Sequence, residues 1–259
     1  MNHLWDLLGL SHSRKVQRAI ASVRDSVCGI LRIRPGPKKD QTQLAIVGTA
    51  WCVVRNRYFV TAHHVFNGGK TRDPADQFVI LRAPANGPTL DSVSVTGYAL
   101  EDASLDLAIV QVDVPASTAI NIPPLPVTLK PQRDGTAVLT CGCPAPQVTG
   151  ANVTSQGDLV GVQTFLMTHA NEGIVAAQYI ERGSLRYELN VGWHHGESGG
   201  PIFTLDPVRA FAVMQDYRNI QTEHGIMAGP HRAFALGPIG DVLRKLGATV
   251  DFVPPHSQS

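Results

Sequence analysis

Apolar positions follow two different periods along the chain. Near the N-terminus they recur at helical spacing. Leu4, Trp5, Leu7, Leu8 and Leu10 form a short amphipathic patch, and Ser11 and Ser13 break it. Val16, Ile20, Val23 and Val27 then follow at intervals of four, three and four, the repeat of one helix face. Residues 1–25 therefore read as a helical extension whose apolar stripe packs on the body. The alternative use of such a stripe is docking to a partner or a membrane surface.

From residue 26 onward the pattern is that of strands. Short apolar and β-branched runs occupy 26–33, 45–54, 58–62, 77–81, 92–100 and 105–112. The turn Arg55-Asn56-Arg57 joins two of them as a hairpin. The Pro-rich stretch NIPPLPVTLKP (121–131) then interrupts the pattern. Proline is excluded from central strands, so 121–135 reads as a connection between halves. Further runs follow at 136–143, 173–180, 184–191, 201–205, 209–215 and 232–237. Pro238 and Gly247 bracket a final helix containing Leu243 and Leu246. The chain is thus expected to be all-β apart from its ends. Two strand-rich halves, 26–120 and 136–250, are expected to pack together as barrels or sandwiches, with 251–259 as a tail.

Charge and composition narrow the function classes. Of 259 residues, 22 are Lys or Arg and 21 are Asp or Glu, giving a net charge of +1. That excludes the basic excess of a general nucleic-acid binder and gives no reason to expect an anionic membrane surface. A content of 43% hydrophobic and 17% charged residues suits a folded globular protein. Cys28, Cys52, Cys141 and Cys143 make no disulfide framework in a chain this long. Cys141 and Cys143 lack the second ligand pair of a zinc frame, so buried free thiols are expected, with no metal and no cofactor. No apolar run is long enough for a membrane span, and the N-terminus lacks the features of a secretory signal. Together with the cysteine usage, this predicts a cytoplasmic protein.

The strongest chemical signal is Gly196-Glu197-Ser198-Gly199-Gly200-Pro201. Three glycines in five residues suit a sharp turn that presents a side chain and amide groups to a ligand. Serine needs a base to become a nucleophile. The segment also fits the G-x-S-x-G elbow of α/β-hydrolases. That elbow requires a helix directly after the serine, however, and here Pro201 and a strand-like run follow. Upstream, Thr61-Ala62-His63-His64-Val65 closes a strand, and Asp106 directly precedes the apolar run Leu107–Val110. Asp102 reads instead as a loop charge, and Ser184 as a turn residue.

These three blocks, with Asp106 placed 42 positions after His64 and Ser198 placed 92 after Asp106, resemble those of the chymotrypsin/trypsin-like serine peptidases. The resemblance covers about residues 26–247. Gly48-Thr49-Ala50, Gly142-x-Pro144 and Phe234-Ala235-Leu236 bring the pattern closest to the protease domains of bacterial HtrA (DegP-like) enzymes and glutamyl endopeptidases, though no PDZ-like segment follows. The resemblance implies two packed six-stranded antiparallel β-barrels and a serine endopeptidase acting through an acyl-enzyme on protein or peptide substrates. It assigns the nucleophile to Ser198, the general base to His64 rather than His63, and the orienting acid to Asp106. The amides of Gly196 and Ser198 would form the oxyanion hole. Gly192, Trp193, Met214, Gln215 and Asp216 would line the specificity pocket.

No Asp lies near Gly192 and no His lies within 212–216, so the pattern supports neither an Arg/Lys nor a Glu preference. Trp193 would shorten the pocket for small or medium apolar side chains. Glu197 stands where secreted trypsins carry an Asp that pairs with a new N-terminus, so a local cation such as Arg182, Arg186 or His195 is the expected partner. Two other readings compete. One is a restrained trypsin-like scaffold opened by a partner at residues 1–25. The other is an α/β-hydrolase esterase relying on His224 or His231.

Overall fold

The computed structural model describes residues 2–36, 41–68, 72–83, 90–144, 147–153, 159–192, 194–223 and 225–251. Helix α1 spans Asn2–Arg24. It is followed by β1 (Val27–Pro35), β2 (Thr42–Val54), β3 (Tyr58–Ala62), the short helix α2 (His64–Asn67), β4 (Gln77–Arg82), β5 (Asp91–Asp102) and β6 (Leu107–Val112). These strands close into a barrel in the order β1-β2-β3-β6-β5-β4, every pair antiparallel. The second half contains β7 (Ala137–Gly142), β8 (Gln147–Val153), β9 (Leu159–Phe165), β10 (His169–Glu181), β11 (Ser184–Leu189), β12 (Pro201–Leu205), β13 (Val208–Thr222) and β14 (Gly225–Ala235). Six of these form a second antiparallel barrel, β10-β11-β14-β13-β12-β7, and β8 and β9 form a separate hairpin. A 3₁₀ turn at Gly237–Ile239 leads into α3 (Gly240–Leu246). Gly247 ends this helix in the left-handed region, at φ 89°, where its N–H reaches the carbonyls of Arg244 and Leu243. The expected two barrels with helical ends are present.

Closure pairs the edges of the twelve barrel strands within the chain; the β8–β9 hairpin lies outside both barrels. The first barrel is filled by large side chains, among them Ile30, Trp51, Phe59, Leu81 and Leu107, all fully buried. Phe66 packs edge-on against Phe78 and Tyr98, with ring centroids 4.8 and 5.3 Å away. A smaller cluster fills the second barrel around Tyr187, Phe211, Met214 and Ile202. The larger cluster does not stop at the first barrel. It also takes in Leu139, Cys141, Cys143, Phe203, Val213, Phe234 and Leu243 from the second half.

The connection between the barrels is held to both. Leu125 N–H donates to Cys52 in the first, and Thr128 N–H to Ala210 in the second, each at 2.8 Å. Val127 bridges Ala210 and Val250. Among the described residues no helix is long and apolar enough to cross a membrane.

Three local expectations need correction. Helix α1 runs unbroken through Ser11 and Ser13, because propensity at one or two serines is a weak effect that a longer packed helix overrides. Its stripe packs on β7 and β12, with Ala19 and Val23 buried. Val27 belongs to β1 rather than to that stripe. The helix closes at the bond from Ser26 N–H to the Val23 carbonyl, 2.9 Å. The hairpin of β8 and β9 was not expected at all, since its polar and glycine-containing sequence carries little strand signal.

Candidate active site

Register brings His64 and Asp106 together. Ala62, the last residue of β3, pairs with Leu107, the first of β6. The residues just beyond, on either strand, are therefore neighbours. Val65 and Phe66 are buried and anchor α2, so His64 stands at a fixed corner. Asp106 adopts φ 52°, a left-handed conformation that Asp tolerates better than most residues. In that conformation its carbonyl accepts from His63 N–H at 3.1 Å. One carboxylate oxygen accepts from His64 N–H at 2.8 Å, and the other meets His64 Nδ1 at 2.8 Å. With Nδ1 donating, Nε2 of the neutral ring is left as the acceptor. Their side chains are 33% and 14% exposed.

Burial by itself would lower the pKa of His64. The hydrogen bond and charge of Asp106, with a smaller contribution from Asp216, outweigh it and hold the imidazole above its ordinary value. His63 points its ring to Asn67. Asp102 is committed to its own turn, accepting from Ser104 Oγ at 2.6 Å and from Leu105 N–H at 3.0 Å.

The loop between β11 and β12 carries Ser198. Gly196 and Gly199 have φ 98° and 90°. At Gly199 there is also no room for a side chain, because a Cβ would lie 2.2 Å from both the Thr49 carbonyl and Thr61 Oγ1. The chain is pinned to β13 by Gly199 N–H to Met214 (2.8 Å) and Met214 N–H to Gly200 (2.9 Å). It is pinned to the first barrel by Thr49 N–H to the Ser198 carbonyl, 2.8 Å. Ser198 Oγ donates to the Gln215 carbonyl at 3.1 Å. Among the described residues, no acceptor takes the amides of Gly196 and Ser198.

A groove of about 1120 Å³ is lined by His63, His64, Asn67, Arg72, Asp106, Gln215 and Asp216 among others; Ser198 is not among its lining residues. Gln215 and Asp216 thus share a groove with His64. Met214 is fully buried in the second-barrel core. Gly192 lies exposed in the loop before Ser198, and Trp193 falls outside the described residues. The Asp216 carboxylate is taken in a bidentate pair by Arg232, at 2.8 and 2.6 Å. The Gln215 side chain accepts from Arg186 at 2.8 Å.

Glu197 differs from expectation. It is fully buried, yet none of the three proposed cations reaches it. Arg186 pairs instead with Glu181 at 3.0 Å and stacks on Phe234. One Glu197 oxygen accepts from the His194 amide, and burial pushes its pKa above the usual carboxylate range. Thr49, whose hydroxyl donates to the Gly196 carbonyl, was quoted only as part of a family pattern. The partners of its hydroxyl, Gly196 and Cys143, are more than ninety residues away in sequence, and no local signal announces them. Among the described residues, no three His, Cys, Asp or Glu side chains converge into a metal-binding group.

A family model described as trypsin-like peptidase domain matches residues 48–212. No curated protein matches the chain in sequence. Among solved structures, the chain is similar to an HtrA-type protease, AlgW, with decapeptide. The TM-score is 0.60 at 15% identity, covering 90% of this chain and 67% of that one. A substituted form of AlgW, also with decapeptide, gives 0.58 at 16% identity over 89% and 66%. The chain therefore spans about two thirds of those structures, and at such identity the likeness shows a shared fold.

Proposed function

The chain belongs to the trypsin-like peptidase family, and from that premise we propose that it is a serine endopeptidase using His64, Asp106 and Ser198. One observation carries the reading. Asp106 clamps both the amide and Nδ1 of His64 at 2.8 Å, beside a groove whose other wall is Gln215, the residue whose carbonyl takes the Ser198 hydroxyl.

The chemistry follows from these groups. Ser198 Oγ, whose partner here is the Gln215 carbonyl, must first leave it and turn about Cα–Cβ toward His64. As Oγ bonds to the scissile carbonyl carbon, its proton passes to His64 Nε2. The Asp106 carboxylate stabilises the imidazolium that forms. The oxygen of the tetrahedral intermediate would be met by the amides of Gly196 and Ser198. The C–N bond then breaks as His64 returns the proton to the leaving amine. Water repeats the sequence to free Ser198.

The similar HtrA-type structures are described with a decapeptide, which supports an extended peptide as the occupant of this groove. Of the pocket residues that the family pattern names, Gln215 and Asp216 line the groove and are kept as its specificity wall, while Met214 belongs to the barrel core. Four free, buried cysteines fit a reducing compartment, the cytoplasm.

Labelling with a fluorophosphonate tests the reading. Wild-type protein is expected to label, and Ser198→Ala and His64→Ala are expected not to. An unlabelled wild type would favour the restrained scaffold. Labelling that survives His64→Ala but not His231→Ala would favour the hydrolase.

A further inference from the structure

The nucleophile loop belongs to the second barrel, but its backbone is fastened by a side chain of the first. Thr49 lies in β2, fully buried. Its hydroxyl donates to the Gly196 carbonyl at 2.7 Å and accepts from Cys143 N–H at 2.9 Å. Its amide donates to the Ser198 carbonyl at 2.8 Å. Its own carbonyl accepts from Thr61 Oγ1 at 2.7 Å, and Thr61 sits on β3 three residues before His64. One residue therefore touches the strand that leads to the base and the loop that carries the nucleophile.

The two carbonyls it holds belong to the same two residues whose amides would meet the oxyanion. A carbonyl and the next amide share one rigid plane. Holding the Gly196 and Ser198 carbonyls therefore fixes the 196–197 and 198–199 peptide planes, which anchors each of these residues on the side after its own amide. The plane that bears the Ser198 amide is held by Gly200 N–H to the Glu197 carbonyl, 2.9 Å. Gly196 needs such a hold because glycine gives up its preferred conformations at little cost. At the Gly196 carbonyl that hold is supplied by a side chain, Thr49 Oγ1; elsewhere in the loop the Glu197 carboxylate takes the His194 amide, and the other main-chain bonds join backbone groups.

We propose that Thr49 is a positioning residue. Acting across the barrel interface, its hydroxyl anchors Gly196 and so keeps the Gly196 amide aimed at the developing negative charge. This rests on the serine endopeptidase reading above.

The test compares Thr49→Val, which keeps the shape and removes the hydroxyl, with Thr49→Ser, which keeps the hydroxyl. Readouts are the rate of fluorophosphonate labelling and the kcat and KM for p-nitrophenyl acetate. Thr49→Val is expected to lose roughly 10-fold or more in labelling rate and kcat, within the 10²–10³ that deletion of a whole oxyanion donor costs. KM should be unchanged, and Thr49→Ser should stay close to wild type. A role in packing alone would spare kcat of the folded fraction.

Wild-type kcat in Thr49→Val, or an equal loss in Thr49→Ser, overturns the proposal. If Thr49→Val does not fold, Thr49→Cys carries the test. Its thiol is a weaker donor, so an intermediate rate is expected, and a wild-type rate overturns the idea. A wild type that no fluorophosphonate labels overturns the endopeptidase reading together with this one. A labelled wild type with an equally reactive Thr49→Val overturns this one alone.

Discussion

Asp106 makes three hydrogen bonds to two consecutive residues, and its left-handed backbone is what lets its carbonyl and carboxylate reach them together. Asn in its place would keep the shape but exchange a carboxylate for an amide, favouring the wrong His64 tautomer. Turnover of Asp106→Asn is expected to fall about 10⁴-fold, the size of this change in the Ser-His-Asp template, with the fold intact by circular dichroism. The pH profile gives an independent measure. His64 must be neutral to act as a base, so its raised pKa places the rising limb of activity above the ordinary imidazole value. In Asp106→Asn the burial remains while the raising partner is lost, so the limb should move to lower pH. An unmoved limb would mean that another group titrates. Stability runs the other way. The protonated His64–Asp106 pair adds stability at low pH that is lost as pH rises through the raised value. His64 and Asp106 were legible in the sequence because each stands at the end of an apolar strand run. Thr49 was not, because what distinguishes it is a set of partners supplied by folding.

Strands were more legible than the pieces that decorate them. Tyr58–Ala62 and Pro201–Leu205 match their expected bounds, since both are short apolar runs between turn formers. Strand β13 runs to Thr222 and β14 begins at Gly225, well outside the expected 209–215 and 232–237. Their outer portions, DYRNIQT and GIMAGPH, carry no clean strand run, being polar in the first and broken by glycine and proline in the second, and they form a long paired arm. The hairpin of β8 and β9 was missed for the same reason. Its apolar positions are interrupted by Gly150 and Gly161, with only Val148 and Val162 among the described residues packed on the core, and Phe165 at its end is 62% exposed. Helix α1 was placed correctly in kind. Its salt bridges, His12 to Glu172 and Lys15 to Asp206, are exposed and contribute little. Its hold on the body comes from Ala19 and Val23. Val23→Ala is therefore expected to cost about 2 kcal/mol, read as a lower denaturant midpoint at an unchanged slope. No groove residue lies on α1, so labelling of the folded fraction should be unaffected. A loss below about 0.5 kcal/mol, typical of surface substitutions, would mean that the helix is not docked in solution.

At the scale of the whole molecule the two barrels are not independent bodies. The larger apolar cluster crosses from one to the other, the connection is bonded to both, and Thr49 ties the nucleophile loop to the far side. Separating the halves would expose that shared core. Calorimetry is therefore expected to give one cooperative transition, with activity and near-UV signal lost together. Two resolved transitions would show that the interface is weaker than its packing suggests. The sequence announced two halves but not their union, because the shared cluster draws single residues from many distant segments.

All four cysteines are buried and free, with Cys52 and Cys141 pushed up to about 12 by burial and Cys28 and Cys143 raised as well. Thiol reagents should therefore find almost no thiolate in the folded protein. That silence makes the molecule its own blank. In a Ser198→Cys variant, one new sulfur would stand out against four mute ones, and its alkylation rate would trace the charge on His64 directly, with no substrate required.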